Sequence, residues 1–191
     1  LQALLERRED FSNIPSLWWR DGKQIIRPKT VEPLLTDLDT DIPGIAWDLL
    51  PMNKYRAHNW HCFDHINDRS PYASIHTSLG CPFKCSFCCI NAPFGKSSYR
   101  TWSPECVIKE IDGLVENYGI KNLKFVDEMF VLNKNHVMGI CDLLKDRDYN
   151  VNIWAYARVD TVQEEFLENL KAAGINWLCL GIESASDHVR D

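Results

Sequence analysis

From Tyr72 to Ile182 the chain alternates short β-prone runs with amphipathic helical stretches, and that alternation restricts the fold more than any other feature. Strands are expected at about 72–77, 122–127, 151–157 and 176–182, the third with period-two alternation. The first helix opens at Ser103, a good N-cap, with Pro104 at the first helical position. It carries an apolar stripe of Val107, Ile108, Ile111, Leu114, Val115 and Tyr118, and it closes at Gly119. A second helix is expected over 135–147 with Val137, Ile140, Cys141 and Leu144 inward. The Thr161–Glu164 pair reads as a capping box starting a third, which turns Phe166, Leu167 and Leu170 inward and ends at Gly174. Four βα steps in a row, joined by right-handed crossovers, give a parallel α/β sheet that forms part of a (β/α) barrel.

The first 70 residues have a different texture, rich in Pro, Trp and Asp. Leu1, Leu4 and Leu5 suggest the end of a helix. Residues 14–27 read as a β-hairpin turning at Asp21–Gly22, with Trp18, Trp19, Ile25 and Ile26 on its arms. The prolines between Leu38 and Pro51 predict an irregular strap. The chain starts without Met and stops at Asp191, just inside an expected helix, so it reads as a piece of a longer protein.

Charge and cysteine usage narrow the function. A net charge of -6 with no basic stripe or tail argues against a nucleic-acid partner and for a small-molecule substrate. No apolar run approaches the roughly 18–20 residues needed to span a bilayer, and no signal-peptide layout opens the chain, so no membrane span and a cytoplasmic location are expected. Eight cysteines could suggest a disulfide scaffold, but four of them crowd between Cys81 and Cys89, a spacing that favours metal ligation. Of the others, Cys106, Cys141 and Cys179 fall on apolar faces and are expected to pack as small hydrophobes, and Cys62 stands apart. The six histidines show no paired metal spacing.

The loop after the first strand reads Gly80-Cys81-Pro82-Phe83-Lys84-Cys85-Ser86-Phe87-Cys88-Cys89. Thiolates at Cys81, Cys85 and Cys88 can converge on one inorganic body, since soft sulfur ligands suit an iron–sulfur cluster or zinc. Zinc sites usually pair two C-x₂₋₄-C halves across a longer insert, and no second half follows. Cys89 is adjacent to Cys88, so its side chain diverges from the other three. Three ligands on a four-iron cluster leave one iron open to substrate. Downstream strands end on polar residues, where parallel barrels keep their catalytic groups: Asp127 and Glu128, then Arg158, then Glu183. Arg158 presents a fork suited to a carboxylate, or else a surface salt bridge, and the acids could equally cap helices or bridge loops.

The C-x₃-C-x-aromatic-C pattern, with Phe87 before the third cysteine, resembles the motif of the radical SAM superfamily. The resemblance implies a [4Fe–4S] cluster on Cys81, Cys85 and Cys88, with S-adenosylmethionine (SAM) chelating the open iron. Reductive cleavage of SAM would then give a 5′-deoxyadenosyl radical that abstracts a substrate hydrogen. It implies cofactor contacts by Phe87, Asp127, Glu128, Arg158 and Glu183. Asp127 or Glu128 would meet the methionine end of SAM, and Glu183, in Gly181-Ile182-Glu183-Ser184, the ribose hydroxyls. Arg190 follows where some members place a SAM-contacting arginine. A low-potential donor such as flavodoxin or ferredoxin would supply the electron.

Phe125-Val126-Asp127-Glu128 and the segments Trp19-Arg20-Asp21-Gly22 and Trp47-Asp48-Leu49-Leu50-Pro51 are similar to members with an N-terminal cobalamin-binding domain. On that resemblance residues 1–70 are the linker after such a domain, and 71–191 the N-terminal part of the barrel. The cobalamin would be bound by a domain outside this sequence, and many such members are methyltransferases. The competing expectations are an electron-transfer iron–sulfur module, a structural zinc module, or a piece too incomplete to act alone.

The ligand set is directly testable. In the full-length protein, reconstituted anaerobically with iron and sulfide, Cys89→Ala is expected to keep its iron and Cys81→Ala to lose it. The reverse pattern in an iron assay would contradict the assignment.

Overall fold

The computed structural model describes residues 6, 11–42 and 44–190, so the expected helix end over 1–10 lies almost wholly outside it. Two compact units divide the chain at residues 35 and 36. The first contains the expected hairpin, β1 (Trp19–Asp21) paired antiparallel with β2 (Gln24–Ile26). Asp21 pairs with Gln24, so the two-residue turn is Gly22–Lys23, one residue later than the sequence suggested. Gly22 takes φ +56°, the left-handed conformation that glycine supplies at the first turn position. The Arg27 guanidinium stacks 5.4 Å over Trp18, and Phe11 meets Trp19 edge-on.

The second unit opens on the strap, which is more regular than expected. It holds a one-turn helix α1 (Leu38–Asp41), capped by the Asp37 carboxylate, and 3₁₀ turns at 47–49, 52–54, 59–61 and 66–68. Four residues suffice because the turn is held from outside: Leu38 is buried, and Asp39 accepts the Ser103 N–H at 2.8 Å. Farther along, Glu110 accepts from the Trp47 indole and the Ile45 N–H.

Beyond the strap come β3 (Tyr72–Ile75), β4 (Ser78–Leu79), β5 (Arg100–Thr101), helix α2 (Pro104–Tyr118), β6 (Asn122–Phe125), helix α3 (Lys134–Arg147), β7 (Asn152–Arg158), helix α4 (Glu164–Ala172), β8 (Ile175–Gly181) and a final turn α5 (Asp187–Arg190). Strands β3, β6, β7 and β8 form one parallel sheet in that order. Helix α2 starts and stops as its sequence signals require: Ser103 Oγ accepts the Cys106 N–H, and the chain leaves the helix at Gly119. The helix-facing sheet residues Ile75, Leu123, Phe125, Ile153 and Ala155 bury against Ile111, Leu114, Ile140, Leu144 and Phe166, which forms the core. Full burial of such side chains, at roughly 1.5–3 kcal/mol each, holds the helices to the sheet.

Local expectations fail at four points. Thr161 does not cap α4: its hydroxyl accepts the Arg158 N–H and donates to the Arg158 carbonyl, so the helix begins at Glu164 behind Gln163 with no side-chain cap. Leu167 faces solvent rather than the core, as does Cys179, whereas Cys62 is buried. Strand β7 alternates only from Ala155 onward, because its first four residues are buried on both faces.

The second face of β7 is covered by the strap. His61 stacks on Tyr72 and packs 4.8 Å from the Trp154 ring, and Phe63 packs 4.8 Å from Trp177. Beneath them an asparagine ladder crosses the strand starts: Asn176 donates to Asn152 at 2.8 Å, Asn152 to Asn122 at 3.0 Å, and Asn122 to the Asp68 carbonyl at 2.6 Å. Buried amides linked in this way leave few orphaned polar atoms and close the lower end of the sheet. Among the described residues no helix is long and apolar enough to cross a membrane.

Candidate functional site

The cysteine loop leaves the sheet at the C-terminal end of β3 and returns before α2. Its base is a staple, β4 paired antiparallel with β5, so residues 80–99 form a closed excursion. Gly80 sits where the loop leaves the staple, at φ +85°, and a Cβ there would stand 2.5 Å from the Ser98 carbonyl oxygen. Only glycine combines that backbone conformation with so close a crossing. Inside the loop the Cys88 N–H bonds the Cys85 carbonyl at 3.1 Å, and the Asn91 amide donates to the Phe83 carbonyl at 2.8 Å. A cavity of about 550 Å³ opens beside Cys85 and Cys88, between Phe83, Lys84, Asn91 and Gly95. That is within the usual range for a small-ligand site.

Cys81 is buried, Cys85 half-buried, and Cys88 and Cys89 exposed. Burial pushes the Cys81 thiol up from its ordinary range, and charge on Cys85, Cys88 and Glu128 pushes it further. Among the described residues no three His, Cys, Asp or Glu side chains close on a single point as ligands of one ion.

The two acids after β6 part company. Asp127 is fully buried and both its oxygens are spent on the approach to the loop: Oδ1 accepts the Thr77 N–H, and Oδ2 accepts both the Thr77 and Ser78 hydroxyls, all at 2.6 Å. Glu128 is half-buried and reaches the next turn of chain, its Oε2 accepting the Gly80 N–H at 3.1 Å. One carboxylate therefore fixes the strand end before the staple, and the other touches the residue beside Cys81.

Arg158 is the most engaged of the expected residues. Its Nε and Nη2 make a two-point pair with Asp160 at 2.8 and 2.7 Å, its guanidinium stacks 4.1 Å over Phe83, and its Nη1 lies 3.8 Å from the Cys85 sulfur. The fork expected to take a ligand carboxylate is occupied by a neighbour, and the remaining edge faces a motif thiol. Glu183 is exposed just past the end of β8, at φ +64°. A left-handed conformation at a non-glycine residue costs of order 1–3 kcal/mol and concentrates at functional turns. Phe87 is 71% exposed at the loop surface. The Arg190 side chain lies outside what is described.

The partnership of Thr77, Ser78 and His136 with Asp127 has no signature in the sequence. His136 Nε2 lies 2.9 Å from Thr77 Oγ1. Because the Thr77 proton goes to Asp127, Nε2 must donate, which fixes the neutral tautomer and leaves Nδ1 bare. Nδ1 is buried without a hydrogen-bond partner. Burial accordingly lowers the imidazole pKa to about 4. The only signal available was that His136 falls in the first turn of a helix whose Asn133 cap binds its N–H.

A family model described as the radical SAM superfamily matches residues 75–191. An uncharacterised methyltransferase of Pyrococcus horikoshii is 34% identical over 97% of this chain, which spans 38% of that relative. The anaerobic magnesium-protoporphyrin IX monomethyl ester cyclase of Rubrivivax gelatinosus is 30% identical over 87% of the chain and 28% of its own length. Among solved structures, the radical SAM methyltransferase TsrM of Kitasatospora setae superposes with a TM-score of 0.66 at 23% identity, covering 98% of this chain and 35% of its own. The cobalamin-dependent radical SAM enzyme OxsB superposes with a TM-score of 0.65 at 20% identity, covering 98% and 26%. The chain thus spans well under half the length of these relatives.

The buried histidine gives a pH signature. A folded-state pKa depressed from the ordinary 6.5 to about 4 contributes stability that is present above pH 6.5 and is lost as the pH falls toward 4. The loss amounts to about 3 kcal/mol at most. Chemical denaturation at fixed pH is expected to show wild type losing stability across that window relative to His136→Gln; parallel curves would contradict the bare-Nδ1 assignment.

Proposed function

The chain belongs to the radical SAM superfamily, and from that premise we propose that it is the cluster- and SAM-binding portion of a longer, cobalamin-dependent radical SAM enzyme, most like the methyltransferases. The observation that carries the proposal is the placement of Cys81, Cys85 and Cys88 on one closed loop at the C-terminal end of a parallel sheet, with Glu128 from the turn after β6 bonded to the Gly80 N–H beside it. Residues 71–191 would be the first part of the barrel, and 1–70 the linker from a cobalamin-binding domain.

The donor set fits a [4Fe–4S] cluster held by three thiolates. When bound, the reduced cluster supplies the electron that cleaves SAM and so provides the radical for attack on an unactivated carbon. The protein's own residues supply position. Cys81, Cys85 and Cys88 would hold the cluster, with Phe87 next to the third of them in the loop. Glu128, anchored on Gly80 N–H, is placed to receive the amino group of SAM, and Glu183 the ribose hydroxyls. Asp127 acts one step back as a positioning residue, fixing Thr77 and Ser78. Arg158, oriented by Asp160, brings a donor and a positive charge to the Cys85 sulfur, an arrangement that favours reduction of an attached cluster. Flavodoxin or ferredoxin would serve as electron donor.

The test is turnover. Full-length protein reconstituted anaerobically and given dithionite and SAM is expected to release 5′-deoxyadenosine and methionine, and Cys85→Ala to release neither above background. A wild-type protein that binds iron and leaves SAM intact would count against catalysis and for an electron-transfer module.

A further inference from the structure

The sheet face turned away from the helices is organised in levels set by strand register. Tyr72, Asn122 and Asn152 share the lowest; Ser74, Lys124, Trp154 and Trp177 the next; Tyr156 and Cys179 the third; Arg158 and Gly181 the top. The lowest level is closed by the asparagine ladder, and His61 and Phe63 from the strap lie over Trp154 and Trp177 of the next. Lys124 stands directly above that closure. Its ammonium lies 4.8 Å from the Trp154 ring centre and 4.9 Å from that of Tyr156, and it donates to the Tyr156 hydroxyl at 3.2 Å.

A lysine on the inner face of a parallel sheet is costly unless its charge is used. Among the described residues Lys124 forms no salt bridge, whereas the acids of this face, Glu128, Asp160 and Glu183, stand at the rim. The face therefore runs from a cation without a carboxylate partner at its floor to a rim where Arg158 is already paired with Asp160. Four residues of β7 separate the Trp154 level from Arg158, roughly 13 Å at about 3.3 Å per residue. That is the length of a mid-sized organic molecule, with the Tyr156 ring alongside.

We infer that this face is the substrate site of the reading above, on which the inference rests, and that Lys124 takes the carboxylate of a substrate whose planar, unsaturated body lies along the half-buried Tyr156 ring. The Tyr156 hydroxyl uses one of the three ammonium protons and leaves two for a carboxylate. A monoanion fits better than a phosphate dianion. The neighbouring imidazole, His61, is held toward its neutral form by burial and by Lys124 itself, so it adds no second charge. The polarity places the anionic end at the floor and the far end of the substrate at the rim, beside the cysteine loop.

The test uses the full-length, cluster-loaded protein with SAM and a matched pair of probes, 2-naphthoate and 2-naphthamide, in equilibrium dialysis. Wild type is expected to hold the carboxylate at least about tenfold more tightly than the amide, as a charge-assisted hydrogen bond requires. Lys124→Met and Lys124→Gln should lose that preference and Lys124→Arg keep it, so a variant that misfolds does not decide the matter. Equal affinity for the two probes, a preference that survives both neutral variants, or no binding of either probe would overturn the inference. Iron content and SAM cleavage of the wild type are read separately. A protein with both and no probe preference refutes only the carboxylate site, and one with neither refutes the proposed function whatever the probes do.

Discussion

The buried carboxylate of Asp127 holds the chain at the one place where the sheet becomes the cysteine loop. Three donors from Thr77 and Ser78 converge on it, and the Thr77 hydroxyl is gripped from the other side by His136. An ionised group taken so far out of water is tolerable only when its lone pairs are filled, and burial still pushes the Asp127 carboxyl above its usual range. What the arrangement achieves is direction. Thr77 and Ser78 are locked, Ser78 starts the staple with β5, and two residues later Gly80 turns into Cys81 under Glu128. A loop that must present three thiols in a fixed relation is thereby tied to the most rigid element available, the end of a parallel strand.

The opposite face of the same sheet follows a related logic. Its lower levels are polar, aromatic and sealed, by asparagines that satisfy one another and by a strap that lays His61 and Phe63 over Trp154 and Trp177. Its upper levels are open and charged. The helix-facing side carries the apolar core, so the sheet separates the part of the molecule that supplies stability from the part that can bind.

Legibility in the sequence follows the range of the interactions. Helices α2 and α3 were readable because their stripes and their Ser103 and Gly119 boundaries are local. The cysteine loop was readable because ligand spacing is local too. Thr161 misled because its hydroxyl had a competing partner three residues back, the Arg158 backbone, which outbid the cap. Asp127 and Glu128 look alike as letters; the turn after β6 sends one inward to Thr77 and the other outward to Gly80, contacts 50 and 48 residues away. His136, the asparagine ladder and the pairing of Arg158 with both Asp160 and Cys85 likewise depend on which strands become neighbours, and no window of sequence contains them.

The most direct measurement of the central claim, three protein thiolates with one coordination position left for SAM, is the electron paramagnetic resonance spectrum of the reduced, reconstituted full-length protein before and after SAM is added. A cluster bound through Cys81, Cys85 and Cys88 alone is expected to change its g-values when SAM occupies the open position. A [4Fe–4S] spectrum that SAM leaves unchanged would mean that the fourth position is already filled, and would contradict the account.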